Sequence, residues 1–279
     1  MKQSRFLMCP PTFFGVEYVI NPWMEGQIHA TNNELARAQW QRLHATLTEQ
    51  AGVASLPPVR GLPDLVFTAN AALLYGKRAV LSSFRFAERR PESQQFASWL
   101  RADGFEVHEL PSDVYFEGAG DALFDRAASV LWLGHGQRSD IQVKRYLEEI
   151  FHIEVQPLRL RNPSFYHLDT CFCPLEGGHV LYFPAAFDEE GNAAIEARVA
   201  AEKRIPVSDD DALHFACNAV NLEGRIVLNA ASSSLSEQLR RRGFQVTTTA
   251  LTEFIRAGGA AKCLSLRLDE PLLSGTNGA

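Results

Sequence analysis

No stretch of this sequence approaches the ~20 consecutive apolar residues of a membrane-spanning helix, and no basic segment followed by an apolar core opens it. A cytoplasmic protein is the expectation. The five cysteines, Cys9, Cys171, Cys173, Cys217 and Cys263, form no C-x-x-C pair, and their odd number suits a secreted disulfide framework poorly. Free thiols in a reducing compartment are expected instead. No histidine spacing complements Cys171 and Cys173, so no metal site is expected, and without G-x-G-x-x-G there is no nicotinamide fingerprint. The chain is read as needing no cofactor.

Positive charge is also scarce, at 27 Lys and Arg against 33 Asp and Glu for a net charge of −6, and the basic residues are scattered. That argues against nucleic acid or an anionic membrane as partner. A small molecule is the expected partner, and oligomeric state, homo-oligomer included, is left open. No linker rich in Pro, Gly or Ser divides the chain, so one domain is expected over residues 1–273, with a disordered tail at 274–279.

What is present is an internal repeat. "FTANAALLYGKRAVLS" from Phe67, "FEGAGDALFDRAASVLWLG" from Phe116, "YHLDTCFCPLEGGHVLYFP" from Tyr166 and "FACNAVNLEGRIVLN" from Phe215 share one pattern. An aromatic residue precedes a short polar or small-residue stretch, an apolar strand, a turn and a second apolar strand. The starts lie 49, 50 and 49 residues apart, and "KCLSLRL" follows 47 later as a shortened fifth copy. Segments of helical periodicity separate the pairs, including "NELARAQWQRLHATLTEQAG" behind an Asn32 cap, "ESQQFASWLRADGF" and "AAIEARVAAEK". Gly104 and Gly243, each before Phe, read as helix ends leading into strands. With "RFLMCPPTFF" completing the last unit, the expected fold is α/β: a five-fold pseudosymmetric α/β propeller of ββαβ units.

In such a ring the strand starts converge on the axis. They carry Asp64 and Asn70, then Glu117, His167 and Asp169, Asn218, and finally Cys263. A purely structural centre would hold Val, Ile and Leu, because burying unpaired carboxylates is costly. A thiol, an imidazole and carboxylates around one cavity suit attack on a planar, positively charged carbon. Cys263 is the nucleophile, favoured by a nearby cation such as a bound guanidinium. Glu117 and Asp169 hold that group by charge-assisted hydrogen bonds, and His167 protonates the leaving amine and then activates water. Each residue alone also has a plain core reading; their convergence favours catalysis. Arg89 and Arg138, each between a strand and a helix, are placed to grip a carboxylate.

At these residues the sequence resembles the guanidino-group-modifying superfamily, the penteins: arginine deiminases, dimethylarginine dimethylaminohydrolases and amidinotransferases. The marks are "FEGAGDAL", the "HLD" pair and the late cysteine. Longer stretches, among them "MCPPTFFGVEYVINPWMEG", "FYHLDTCFCPLEGG" and "LTEFIRAGGAAKCLSLRL", are similar to the catalytic module of fused arginine dihydrolase/ornithine cyclodeaminase enzymes. The resemblance implies conversion of arginine to ornithine, ammonia and carbon dioxide. It implies catalytic roles for Glu117, His167 and Cys263, and substrate contacts for Asn21, Asn70, Arg89 and Arg138. Nothing like the fused enzymes' second module follows "LDEPLL", so conversion of ornithine to proline is not expected. The competing activities on the same scaffold are hydrolysis of dimethylarginine, hydrolysis of citrulline, arginine deimination and amidino transfer. A different class is a non-catalytic sensor of guanidino or ureido amino acids.

Overall fold

The computed structural model describes residues 4–270; the stretch 274–279, expected to be a tail, lies outside the described residues. Strand β1 (Ser4–Met8) leads through a long irregular loop to a helix at Asn33–Thr48, then to β2 (Ala51–Ser55), parallel to β1. The oxygen of Asn32 accepts from the Leu35 N–H, so the expected cap starts this helix.

Four units of one pattern follow. Strands β3 (Ala72–Tyr75) and β4 (Arg78–Leu81) form a hairpin, the helix Glu92–Ala102 crosses over, and β5 (Glu106–His108) returns parallel to β4. The next unit holds β6 (Ala122–Phe124), β7 (Val130–His135) and β8 (Glu154–Arg159), with the helix Val143–Phe151 between the last two. The third holds β9 (Phe172–Leu175), β10 (His179–Tyr182) and β11 (Arg204–Pro206). The fourth holds β12 (Val220–Leu222), β13 (Arg225–Leu228) and β14 (Gln245–Thr248). Strand β15 (Leu266–Arg267) then pairs antiparallel with β1, so both ends of the chain share a sheet. The result is a mixed α/β fold of five separate three-stranded sheets.

Local chemistry sets these elements. The β12–β13 hairpin turns on Glu223 and Gly224, at φ 48° and 77°, the left-handed pair that matches the twist of a two-residue turn. Gly104 and Gly243, at φ 84° and 89°, end their helices as expected. Strand β3 is buried along its whole length, so its residues face core on both sides of the sheet. Between the second and third sheets, Tyr75 stacks on Phe124 at 4.7 Å while Phe96, Leu147 and Phe151 are fully enclosed, each contributing about 1.5–3 kcal/mol by leaving water. Among the described residues no helix is long and apolar enough to cross a membrane.

The chemistry-bearing residues sit just ahead of the first strand in each unit. One-turn helices at Thr68–Ala71, Gly118–Asp121 and Leu168–Thr170 lead into β3, β6 and β9. Backbone bonds join these remote turns directly. The Ala69 N–H donates to the Cys263 carbonyl at 3.1 Å, and the Lys262 N–H to that of Asn218 at 3.3 Å.

Candidate active site

A small pocket of about 10 Å³, room for little more than one water molecule, lies where the turns meet. Asn21, Asp64, Asn70, Arg89, Arg138 and Cys263 line it, with Met24, Phe67 and Tyr166 among the other walls. Glu117 and His167 are fully buried beside these residues through their bonds to Arg138 and Asn70.

Glu117 is the electrostatic centre. Its Oε2 lies 2.6 Å from Nε2 of His167 and 3.0 Å from Nη1 of Arg138, while Oε1 accepts the Arg85 N–H. Burial alone would raise this carboxyl, but Arg138 and the hydrogen bond from His167 outweigh it and hold Glu117 well below the usual carboxylate range. Arg138 is clamped between the rings of Phe86 and Tyr166, each 4.6 Å from its guanidinium carbon, and Nη2 donates to the Ile20 carbonyl. The free fork read from the sequence is therefore partly committed to Glu117 and the loop.

On the other side, Arg89 is held bidentately by Glu92, donates from Nη1 to Oδ1 of Asn70 at 2.9 Å and also reaches the Asp64 carbonyl. Arginine only donates, so Oδ1 faces it and Nδ2 of Asn70 faces Nδ1 of His167 at 3.5 Å. An amide N–H opposite Nδ1 leaves the ring proton on Nε2, where it is donated to Glu117. Gly120 makes this approach feasible, because a Cβ there would overlap Nδ2 of Asn70 and come within 3.2 Å of the His167 ring. Asp64 accepts from the Tyr18 hydroxyl through Oδ2, while its buried Oδ1 has no hydrogen-bond partner among the described residues. A buried acceptor left bare invites an N–H from a ligand.

Cys263 is 2 % exposed and lies in a turn three residues before β15. Its sulfur is 3.4 and 3.6 Å from the Asp169 carboxylate and 3.1 Å from Nδ2 of Asn218. Burial and the Asp169 charge push the thiol well above its ordinary value. Burial likewise lifts Asp169 to about 7, against the pull of Lys262. The bare run before the cysteine has a steric reason: a Cβ on Gly259 would meet the Phe67 ring at 2.5 Å, and one on Gly258 the Tyr166 hydroxyl at 2.6 Å.

Every residue expected at the site from the sequence lies in this one region. Asp169 touches the sulfur, and neither it nor Glu117 is among the residues that line the cavity. Asn21 caps a short turn through Oδ1 and donates to the Ala257 carbonyl. The sequence reading missed Tyr166, Glu92 and Tyr18, and left Asn218 without a role. Only the HLD-like clustering of polar residues around each strand start hinted at Asn218. A buried sulfur, an acid-bound imidazole, an outward amide donor and an unpaired carboxylate oxygen can together bind and attack a planar cation that carries several N–H groups.

The family profile for eukaryotic N,N-dimethylarginine dimethylhydrolase matches residues 21–268. The chain is 34% identical over 268 residues to the dimethylarginine dimethylaminohydrolase of Mycobacterium tuberculosis, covering 96% of this chain and 86% of that protein. Fold and site thus define a cysteine-bearing protein of the guanidino-modifying class, and the chain belongs to the dimethylarginine dimethylaminohydrolase family. It is 53% identical over 269 residues to the bifunctional arginine dihydrolase/ornithine cyclodeaminase ArgZ of Synechocystis, covering 96% of this chain but 38% of that one. A crystal structure of the N-terminal domain of ArgZ, an arginine dihydrolase from cyanobacteria, with substrate bound, has a TM-score of 0.96 at 52% identity and covers 97% of this chain and 100% of that domain. The expected superfamily resemblance is borne out.

Proposed function

We propose that the chain is an arginine dihydrolase, converting L-arginine and two waters to L-ornithine, two ammonia and carbon dioxide. The five sheets form a five-bladed α/β propeller around the site, as one catalytic domain. The β1–β15 pairing and the direct bonds between remote turns support that arrangement.

The substrate guanidinium enters beside Cys263, and its N–H groups satisfy Oδ1 of Asp64 and lie against Glu117. Its charge favours the thiolate that burial and Asp169 disfavour. Sulfur attacks the central carbon as the thiol proton passes to His167, and the imidazolium so formed, its charge held against Glu117, returns a proton to the departing amine, which leaves as ammonia. His167 then takes a proton from water, which displaces sulfur and leaves the ureido group. A second attack on that carbon expels the second ammonia, and water releases a carbamate of ornithine that loses carbon dioxide. Arg138 anchors the amino-acid carboxylate with its uncommitted donors, and Asn21 adds a contact nearby.

The observation that carries the two-step reading is the orientation of Asn70. Arg89 occupies its oxygen, so its N–H groups face the site, where they donate to the ureido oxygen that a carboxylate would repel. The chemistry at ArgZ supports the same substrate, since that protein carries the name of an arginine dihydrolase and its N-terminal domain has been seen bound to substrate and to product. The test is stoichiometric. With arginine as sole substrate, ammonia and ornithine should form in a ratio of two to one. A ratio of ammonia to citrulline of one to one would make the chain a deiminase, and turnover of dimethylarginine alone would reassign the substrate.

A further inference from the structure

We infer that Asn218 is the positioning residue of the nucleophile: its amide clamps the Cys263 main chain at one end and the Cys263 sulfur at the other. The inference rests on the reading of Cys263 as nucleophile.

Asn218 is fully buried in the turn ahead of β12. Its Oδ1 accepts the N–H of Ala260 at 3.0 Å and that of Cys263 at 3.1 Å. Two backbone donors on one atom settle which end of the amide is which, because an NH2 group there would face them with nothing to accept. Nδ2 must therefore point the other way. There it donates to the Asp169 carbonyl at 3.0 Å and reaches Sγ of Cys263 at 3.1 Å. The Lys262 N–H returns a bond to the Asn218 carbonyl, closing the turn around the cysteine.

Two of the polar neighbours of the sulfur have opposite preferences, and the Ala260 N–H and the Lys262 charge also favour an anion there. The Asp169 carboxylate accepts from a neutral thiol and repels a thiolate, while the Asn218 N–H is better satisfied by the anion. Asn218 holds the sulfur in a fixed direction and offsets Asp169 when the charge develops. A loop-stapling role alone would need Oδ1 and the bond from Nδ2 to the Asp169 carbonyl, and the contact of Nδ2 with sulfur goes beyond that.

The variant Asn218→Asp separates the two functions, since it keeps an oxygen for both backbone N–H groups and replaces the donor beside sulfur with an acceptor. The measurement is the pH dependence of Cys263 alkylation by iodoacetamide in the full chain without substrate, read by peptide mass spectrometry, together with kcat and KM for arginine and a melting curve. The alkylation midpoint should rise by about one pH unit or more and kcat should fall about 10- to 100-fold with little change in KM. Asn218→Ser, whose shorter hydroxyl reaches less far, should lie between, and it carries the test if the Asp variant does not fold. A folded variant with the wild-type midpoint overturns the inference whatever its kcat. Absence of arginine turnover in the unaltered protein would defeat the proposed function instead, and the alkylation midpoint would still decide the role of Asn218.

Discussion

Nη1 of Arg89 donates to Oδ1 of Asn70 at 2.9 Å, and both carboxylate oxygens of Glu92 hold that guanidinium from behind. Arg89, expected from the sequence as a substrate grip, thus spends its fork inside the protein and sets the direction of an amide.

Replacing Asn70 by Asp tests what that direction does. Arg89 pairs with the new carboxylate, so the fold should survive, but an oxygen then faces His167 and the cavity. Arginine should still be consumed, whereas hydrolysis of added citrulline should fall at least about 10-fold, the cost of meeting a polar oxygen with an acceptor in place of a donor. Chromatography of the products should show citrulline accumulating. An unchanged ornithine yield would sink the two-step account.

Much of the architecture was legible before any coordinates, because each unit writes the same chemistry: an aromatic residue, a short polar turn, an apolar strand, a tight turn, an apolar strand. The β12–β13 turn at Glu223 and Gly224 and the cap at Asn32 follow from local rules that need no partner. Periodicity puts the helix between β10 and β11 at Ala193–Lys203, whereas it runs Glu189–Arg198, because Asp188 caps it by accepting from the Gly191 N–H and Val199 is already extended. At the site, residue identities were legible and their pairings were not. Whether Arg138 meets solvent, substrate or Glu117 depends on a contact across 21 positions, and the Asn218 contact with Cys263 spans 45. No periodicity encodes such distances.

Gly120 to Ala should separate activity from folding. Its φ is not in the left-handed region, so an added methyl has no backbone objection, only the Asn70 amide and the His167 ring in its way. Both side chains would shift by a few tenths of an ångström or more, and kcat should fall about 10- to 100-fold, as misplacement of catalytic groups does. The melting temperature should change far less. A variant of full activity would mean that the close approach has no catalytic meaning.

Glu117→Gln should damage both properties. The buried Arg138 would lose its carboxylate, at a cost of about 3–5 kcal/mol, and the His167 proton would lose its acceptor charge. Turnover should drop about 100-fold or more, with a lowered melting temperature. If the protein melts as before, the Glu117–Arg138 pair is not the buried charge pair described above.

Asp169→Asn should stabilise the fold, and only at higher pH. Burial raises the Asp169 carboxyl from its ordinary 3.8 to about 7, so the folded chain holds this proton more tightly than the unfolded chain. Below about pH 3.8 both states carry it and the group contributes nothing. As pH climbs, the unfolded chain loses the proton first, and the penalty for a buried charge grows until it is complete above about pH 7. An amide has no such penalty, so the variant should gain on the order of 1–3 kcal/mol at pH 8, a shift of several degrees in melting temperature, and little at pH 4. Melting curves at the two pH values check the sign. A gain of equal size at both would trace to packing, and a loss that grows with pH would mean that Lys262 outweighs burial at this carboxyl.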